Sequence, residues 1–77
     1  MGVIFNMFRN LNAEMSRRGL TKREMAKRIK IAPNTLTRKL NGRADFTLTE
    51  IYNIRDILDR ISPLDKDMNL DKLFEQS

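Results

Sequence analysis

The sequence predicts an all-α fold, a compact domain of five helices. Three observations point to it. Apolar residues recur three and four apart along most of the chain. Helix start and stop signals fall at short intervals. Apolar residues make up 40% of the chain but aromatics only 6%, a balance that suits a bundle cored by Leu, Ile and Met. A length of 77 residues allows one domain, 1–77, with a small core. Val3, Ile4 and Phe5 have strand-like character, but no neighbouring segment offers them a partner.

The first helix is expected from about Asn6 to Arg18, with Phe8, Leu11 and Met15 at helical spacing and Ile4 extending the stripe. Gly19 follows as its left-handed terminator, and Arg17 and Arg18 complement the negative end of the helix dipole. Thr21 and Glu24 have the spacing of a capping box, so the second helix starts there, burying Met25, Ala26 and Ile29. Pro33 suits the first position of the third helix, which buries Leu36 and Leu40 and ends at Gly42. A second capping box, Thr47 with Glu50, opens the fourth helix, whose apolar face is read as Leu48, Ile51, Ile54, Ile57 and Leu58. Ser62 and Pro63 break the chain, and a last helix from about Asn69 to Glu75 closes the core with Leu70, Leu73 and Phe74. Residues 1–6 stay open between a functional N-terminal arm and an upstream addition.

Charge is distributed unevenly. Residues 1–44 carry 11 Lys/Arg against 2 Asp/Glu, a balance of +9, and residues 45–77 carry 4 against 8, a balance of −4. One end of the domain therefore has a strong positive potential that suits a polyanion. The chain has neither Cys nor His, which excludes disulfides, ordinary zinc sites and Cys-His or Ser-His catalysis. Ser16, Ser62 and the scattered carboxylates form no catalytic constellation, so no enzyme and no cofactor is expected. No apolar run approaches the roughly 18 residues of a membrane span. The Met-Gly start lacks the Ser or Thr that myristoylation wants, because Asn6 stands there.

The second and third helices are joined by only a few residues around Lys30, Ile31 and Ala32. Small Ala26 permits a close crossing, and Ile29, Ile31 and Leu36 fill the angle between the helices. This is the pattern of a helix-turn-helix over about residues 21–42. The sequence here resembles the Cro and phage-repressor helix-turn-helix family, the XRE-like group, from Phe8 to about Leu58. The residues that carry the resemblance are Leu20-Thr21, Met25-Ala26, Ile29, Ile31, Asn34-Thr35-Leu36 and Asn41-Gly42, followed by the Asp45–Glu50 segment with Ile51, Ile54 and Ile57. The resemblance implies a lambda-repressor-like DNA-binding fold in a bacterial or phage-infected cytoplasm.

Carried over position by position, the resemblance makes Pro33, Asn34, Thr37 and Arg38 the residues that meet base edges in the major groove. Asn34 suits adenine and Arg38 suits guanine. Lys22, Arg23, Thr35, Lys39, Asn41 and Arg43 are the expected phosphate contacts. The Lys39 stem equally suits packing with its amine snorkelled outward, and Arg17, Arg18 and Lys27 would widen the patch. The expected partner is double-stranded DNA, bound as a homodimer at least on DNA. The dimer would form through the acidic half, where Ile61, Leu64, Met68 and Leu70 are many apolar groups for a short chain to hide. The expected role is a transcriptional regulator of Cro-like or small-repressor type. The alternative is an antitoxin or other protein-interaction module on the same fold.

The sequence departs from the family pattern at three places. Lys30 holds the turn position where Gly is usual, so either the turn differs or the domain carries a left-handed Lys. Lys22 stands where Gln is common. Met15 and Leu40 occupy the positions at which many relatives pair Arg with Glu, which reads as an ion pair replaced by an apolar contact. Leu40→Glu alone is then expected to cost several kcal/mol, because the acid lacks its Arg. A thermal melt matching the parent's would show that the first and third helices are aligned wrongly.

Overall fold

Helices form where the start and stop signals fall. The computed structural model describes residues 7–76, so the candidate N-terminal arm, with Ile4 and Phe5, lies outside the described residues. Five helices follow in order: α1 (Arg9–Arg17), α2 (Lys22–Arg28), α3 (Pro33–Leu40), α4 (Leu48–Ile61) and α5 (Leu70–Leu73). Both expected capping boxes are closed. The Thr21 hydroxyl accepts from the Glu24 amide at 3.1 Å while the Glu24 carboxylate accepts from the Thr21 amide at 3.2 Å. Thr47 and Glu50 repeat the exchange at 3.1 and 2.9 Å. Pro33 takes the first position of α3, and the Asn69 side chain caps α5.

The first three helices end by one device. A residue in the left-handed region follows each C-cap: Gly19 at φ +65°, Lys30 at +63° and Gly42 at +77°. The next amide then reaches back five residues, Leu20 to the Met15 carbonyl at 3.0 Å, Ile31 to Ala26 at 3.0 Å and Arg43 to Arg38 at 2.8 Å. These Schellman closures satisfy carbonyls that the helix end would otherwise orphan. At Gly42 a Cβ would also stand 3.0 Å from the Met7 side chain. Lys30 therefore adopts the family's turn and carries its strain.

The core is one cluster drawn from every helix. Leu11, Met25, Leu36, Leu40, Ile54, Leu58 and Leu73 are fully buried, with Phe8, Met15, Leu20, Ala26 and Ile29 around them. Met15 and Leu40 both belong to it, as the loss of the family ion pair requires. Ala26 is fully buried where α2 packs on α3. Phe8, Phe46 and Phe74 meet edge to face with centroids 5.2 to 6.2 Å apart and tie the start of α1 to the loop before α4 and to the C-terminal segment. The Asn10 amide donates to the Lys72 carbonyl at 2.8 Å and holds α5 on α1. Among the described residues no helix is long and apolar enough to cross a membrane.

Several expectations need correction. α1 starts at Arg9 rather than near Asn6, because Phe8, its N-cap, has an aromatic ring in the core and no oxygen to offer. α5 is one turn rather than the stretch from Asn69 to Glu75. Leu48 leaves the apolar face of α4 and is 65% exposed. It lies six residues before Ile54, about a third of a turn away around the helix from that buried stripe. Arg18 does not widen the basic patch. Its guanidinium is buried, donating to the Glu14 carboxylate, to the Leu58 carbonyl at 2.8 Å and to the Ser62 carbonyl, so it bolts α1 to the end of α4.

A left-handed Lys costs about 1 kcal/mol relative to Gly. Lys30→Gly is therefore expected to stabilise the domain, raising its Tm by roughly 4–8 °C. A Tm equal to or below the parent's would contradict the strain assigned to this turn.

Candidate nucleic-acid interface

A helix of eight residues shows two faces, and α3 divides them by chemistry. Leu36, Lys39 and Leu40 point inward. Asn34, Arg38 and Asn41, four and then three apart, form a stripe on the opposite, exposed side. Pro33 and Thr35 are exposed at the first turn, and Thr37 is half-buried on the flank. Of the expected base-reading residues, the structure thus sets Asn34 and Arg38 on one outward line with Thr37 and Pro33 beside it.

The first turn of α3 lacks a side-chain cap because its N-cap is Ala32. Asn34 and Thr35 do not substitute for one, and their side chains hold no hydrogen-bond partner among the described residues. Their polar groups therefore remain available to a ligand. The same holds for Thr37, Arg38 and Asn41.

The cations divide into a free set and an engaged set. Lys22 and Arg23 at the start of α2, Arg38, and Arg43 just past α3 are exposed and without an ionic partner among the described residues. Glu24 is the only acid between residues 21 and 43, and its carboxylate faces its own helix end. The Thr21 amide and then the Thr21 hydroxyl hold its pKa below the usual carboxylate range. The surface from α2 to the end of α3 therefore presents a nearly unopposed positive potential.

Lys39 behaves differently from its expected place among the phosphate contacts. It is only 8% exposed, and its amine is bonded to the Glu50 carboxylate on α4. The neighbours of the stem are apolar and Glu50 stands within reach, so the amine finds its partner inside the protein. Burial raises the pKa of Glu50, but the Lys39 ammonium and the Thr47 amide outweigh it and leave the carboxyl below its usual value. Glu50 thereby serves two elements at once, capping α4 and clamping α3 against it. Sequence reasoning assigned Glu50 only the cap; the paired signal was a Lys at a position that the periodicity of α3 turns inward. Arg17, also expected to widen the patch, is mostly exposed but paired with Glu14 at 3.0 Å. Phe8 is buried and offers no platform for a base.

This geometry is that of a helix-turn-helix with an exposed polar and cationic second helix. The model of the Cro/C1-type HTH DNA-binding domain matches residues 10–61, well over half of the chain. The chain belongs to that family. No curated protein and no solved structure matches it.

Because Glu24 and Glu50 both titrate below their ordinary range, the folded state holds fewer protons than the unfolded state around pH 4. Their stabilisation is complete above the usual Glu pKa near 4.5 and fades as pH falls through the lowered values. Glu50→Gln keeps the reach-back to Thr47 but leaves Lys39 without a counter-charge. It is expected to cost about 1–3 kcal/mol in urea unfolding at pH 7, and to lose less than the parent between pH 6 and pH 3. Equal stability at pH 7 would show that the ion pair contributes nothing.

Proposed function

We propose that this member of the Cro/C1-type family is a sequence-specific regulator of transcription that binds double-stranded DNA, of Cro-like or small-repressor type, with α3 in the major groove. The observation that carries the reading is the outward line of Asn34, Arg38 and Asn41, unpaired and flanked by cations. A helix fits the major groove, and its early residues reach the base edges. Asn34 can exchange two hydrogen bonds with adenine, and the Arg38 fork can donate two to guanine. Thr37 offers a hydroxyl and a methyl, and Pro33 offers apolar contact.

Lys22, Arg23 and Arg43 frame this line as phosphate contacts, with Thr35 and Asn41 as neutral donors at its margin. Phosphate contacts set register and carry most of the affinity, and base contacts carry the sequence preference. Lys39 works in this scheme as a positioning residue, since its amine is taken by Glu50. A single α3 reads only a few base pairs, so two copies would occupy two-fold-related half-sites about 34 Å apart.

Selection of binding sites from random duplexes is expected to return an inverted repeat. With about six phosphates met per domain, the half-site affinity should fall with log salt at a slope near −5. Arg38→Ala should cost about 1–3 kcal/mol and relax preference at one position. Arg43→Ala should weaken all sequences alike and reduce the slope by about 1. Failure to enrich any duplex, or a slope near zero, would overturn the reading.

A further inference from the structure

The regulator reading leaves open which surface brings two copies together, and the inference below rests on it. We propose that Leu48 and Tyr52, on the N-terminal half of α4, form the surface through which a second copy of this chain is met on the adjacent half-site. Leu48 is 65% and Tyr52 42% exposed, and they are two of the three exposed large apolar side chains among the described residues. A spacing of four residues puts them on one stripe. The third, Ile61, is nine residues beyond Tyr52 and therefore on the opposite flank of α4. The apolar groups expected at the acidic end are largely committed elsewhere: Leu64 and Met68 pack on the domain's own core, and Leu70 is half-buried.

The rim identifies the occupant. The Arg55 guanidinium lies 5.3 Å from the centroid of the Tyr52 ring, and Asp56 stands 3.2 Å from Arg55. Both charged side chains are about half exposed. An apolar centre bordered by one cation and one anion is self-complementary under a two-fold axis, as an isologous contact must be. A strongly acidic partner would instead favour the basic face of α2 and α3.

Size points the same way. The domain measures 35 × 25 × 23 Å. Half-sites one helical turn apart set two such domains about 34 Å from centre to centre, so their facing surfaces come into reach. α4 begins five residues after Arg43, on the loop that leaves the recognition helix, which keeps this stripe beside the DNA-contacting edge.

The patch is small against the roughly 1,200 Å² that a stable interface buries, and the +9 balance of residues 1–44 repels a second copy in free solution. Pairing therefore belongs to the DNA-bound state, where the duplex screens that charge and raises the effective concentration.

The test compares the full chain with a Leu48→Ser/Tyr52→Ser variant on duplexes carrying one selected half-site or two, one helical turn apart. The parent is expected to bind the second half-site on the order of ten- to a hundredfold more tightly than the first. The variant should melt like the parent and match it on one half-site, but lose that enhancement. Retained enhancement in the variant would overturn the proposal, as would independent binding by the parent. Should the variant not fold, Tyr52→Cys replaces it. The chain has no other cysteine, so a short thiol cross-linker should capture a dimer on the two-site duplex and not on the one-site duplex. Cooperative binding without capture would overturn the proposal. Absence of all duplex binding by the parent would instead sink the regulator reading beneath it.

Discussion

The turn between α2 and α3 is the constraint from which the rest of the molecule follows. The chain must leave α2 and begin α3 within residues 29–32, and it does so by placing Lys30 at φ +63°. That one left-handed residue lets the Ile31 amide close on the Ala26 carbonyl and turns Ile31 toward the core. Ala26 has no side chain beyond Cβ to keep α3 away, and Leu36 fills the space opposite it. Without this turn the two helices could not cross closely, and α3 would have no fixed outward face.

A second set of contacts fixes how α3 is rotated. Leu36 and Leu40 seat it on the core, and Lys39 reaches α4 through Glu50. Replacing a buried ion pair with apolar packing is often neutral or favourable, whereas removing one partner leaves a costly unpaired charge. This chain shows both sides of that rule. The family's pair between the first and third helices has become Met15 with Leu40, while a different pair, between the third and fourth, has been kept. Hydrophobic contact tolerates small rotations, and a charged hydrogen bond is directional. The Lys39–Glu50 bond thus constrains the angle at which Asn34 and Arg38 face outward.

Local signals in the sequence located most helix ends. Thr21 with Glu24, Thr47 with Glu50, Pro33, Gly19 and Gly42 act within a few residues of themselves, so their meaning does not depend on distant packing. The periodicity of Leu36 and Leu40 likewise placed Asn34 and Arg38 outside. What escaped was tertiary. Lys39 fitted a phosphate or a packed role until Glu50, eleven residues on, settled where its amine goes. Arg18 looked like part of a basic patch because its partners, Glu14, Leu58 and Ser62, come together only when α1 packs against α4. Leu48 was counted as core because it is apolar and begins a helix, yet its angle relative to Ile54 turns it to solvent. The start of α1 was misread because an apolar Phe8 continued the stripe without continuing the helix.

Placed together, a rigid turn, a clamped third helix and a free cationic margin give the domain one face suited to a duplex and leave the acidic half away from it. The most direct test of that division is an amide NMR titration of the intact chain with duplexes from site selection. The account predicts that shifts concentrate at Lys22, Arg23, residues 33–38 and residues 41–43, with the Lys39 ammonium unmoved. Shifts centred instead on α5 and residues 62–69, with α3 unchanged, would contradict it.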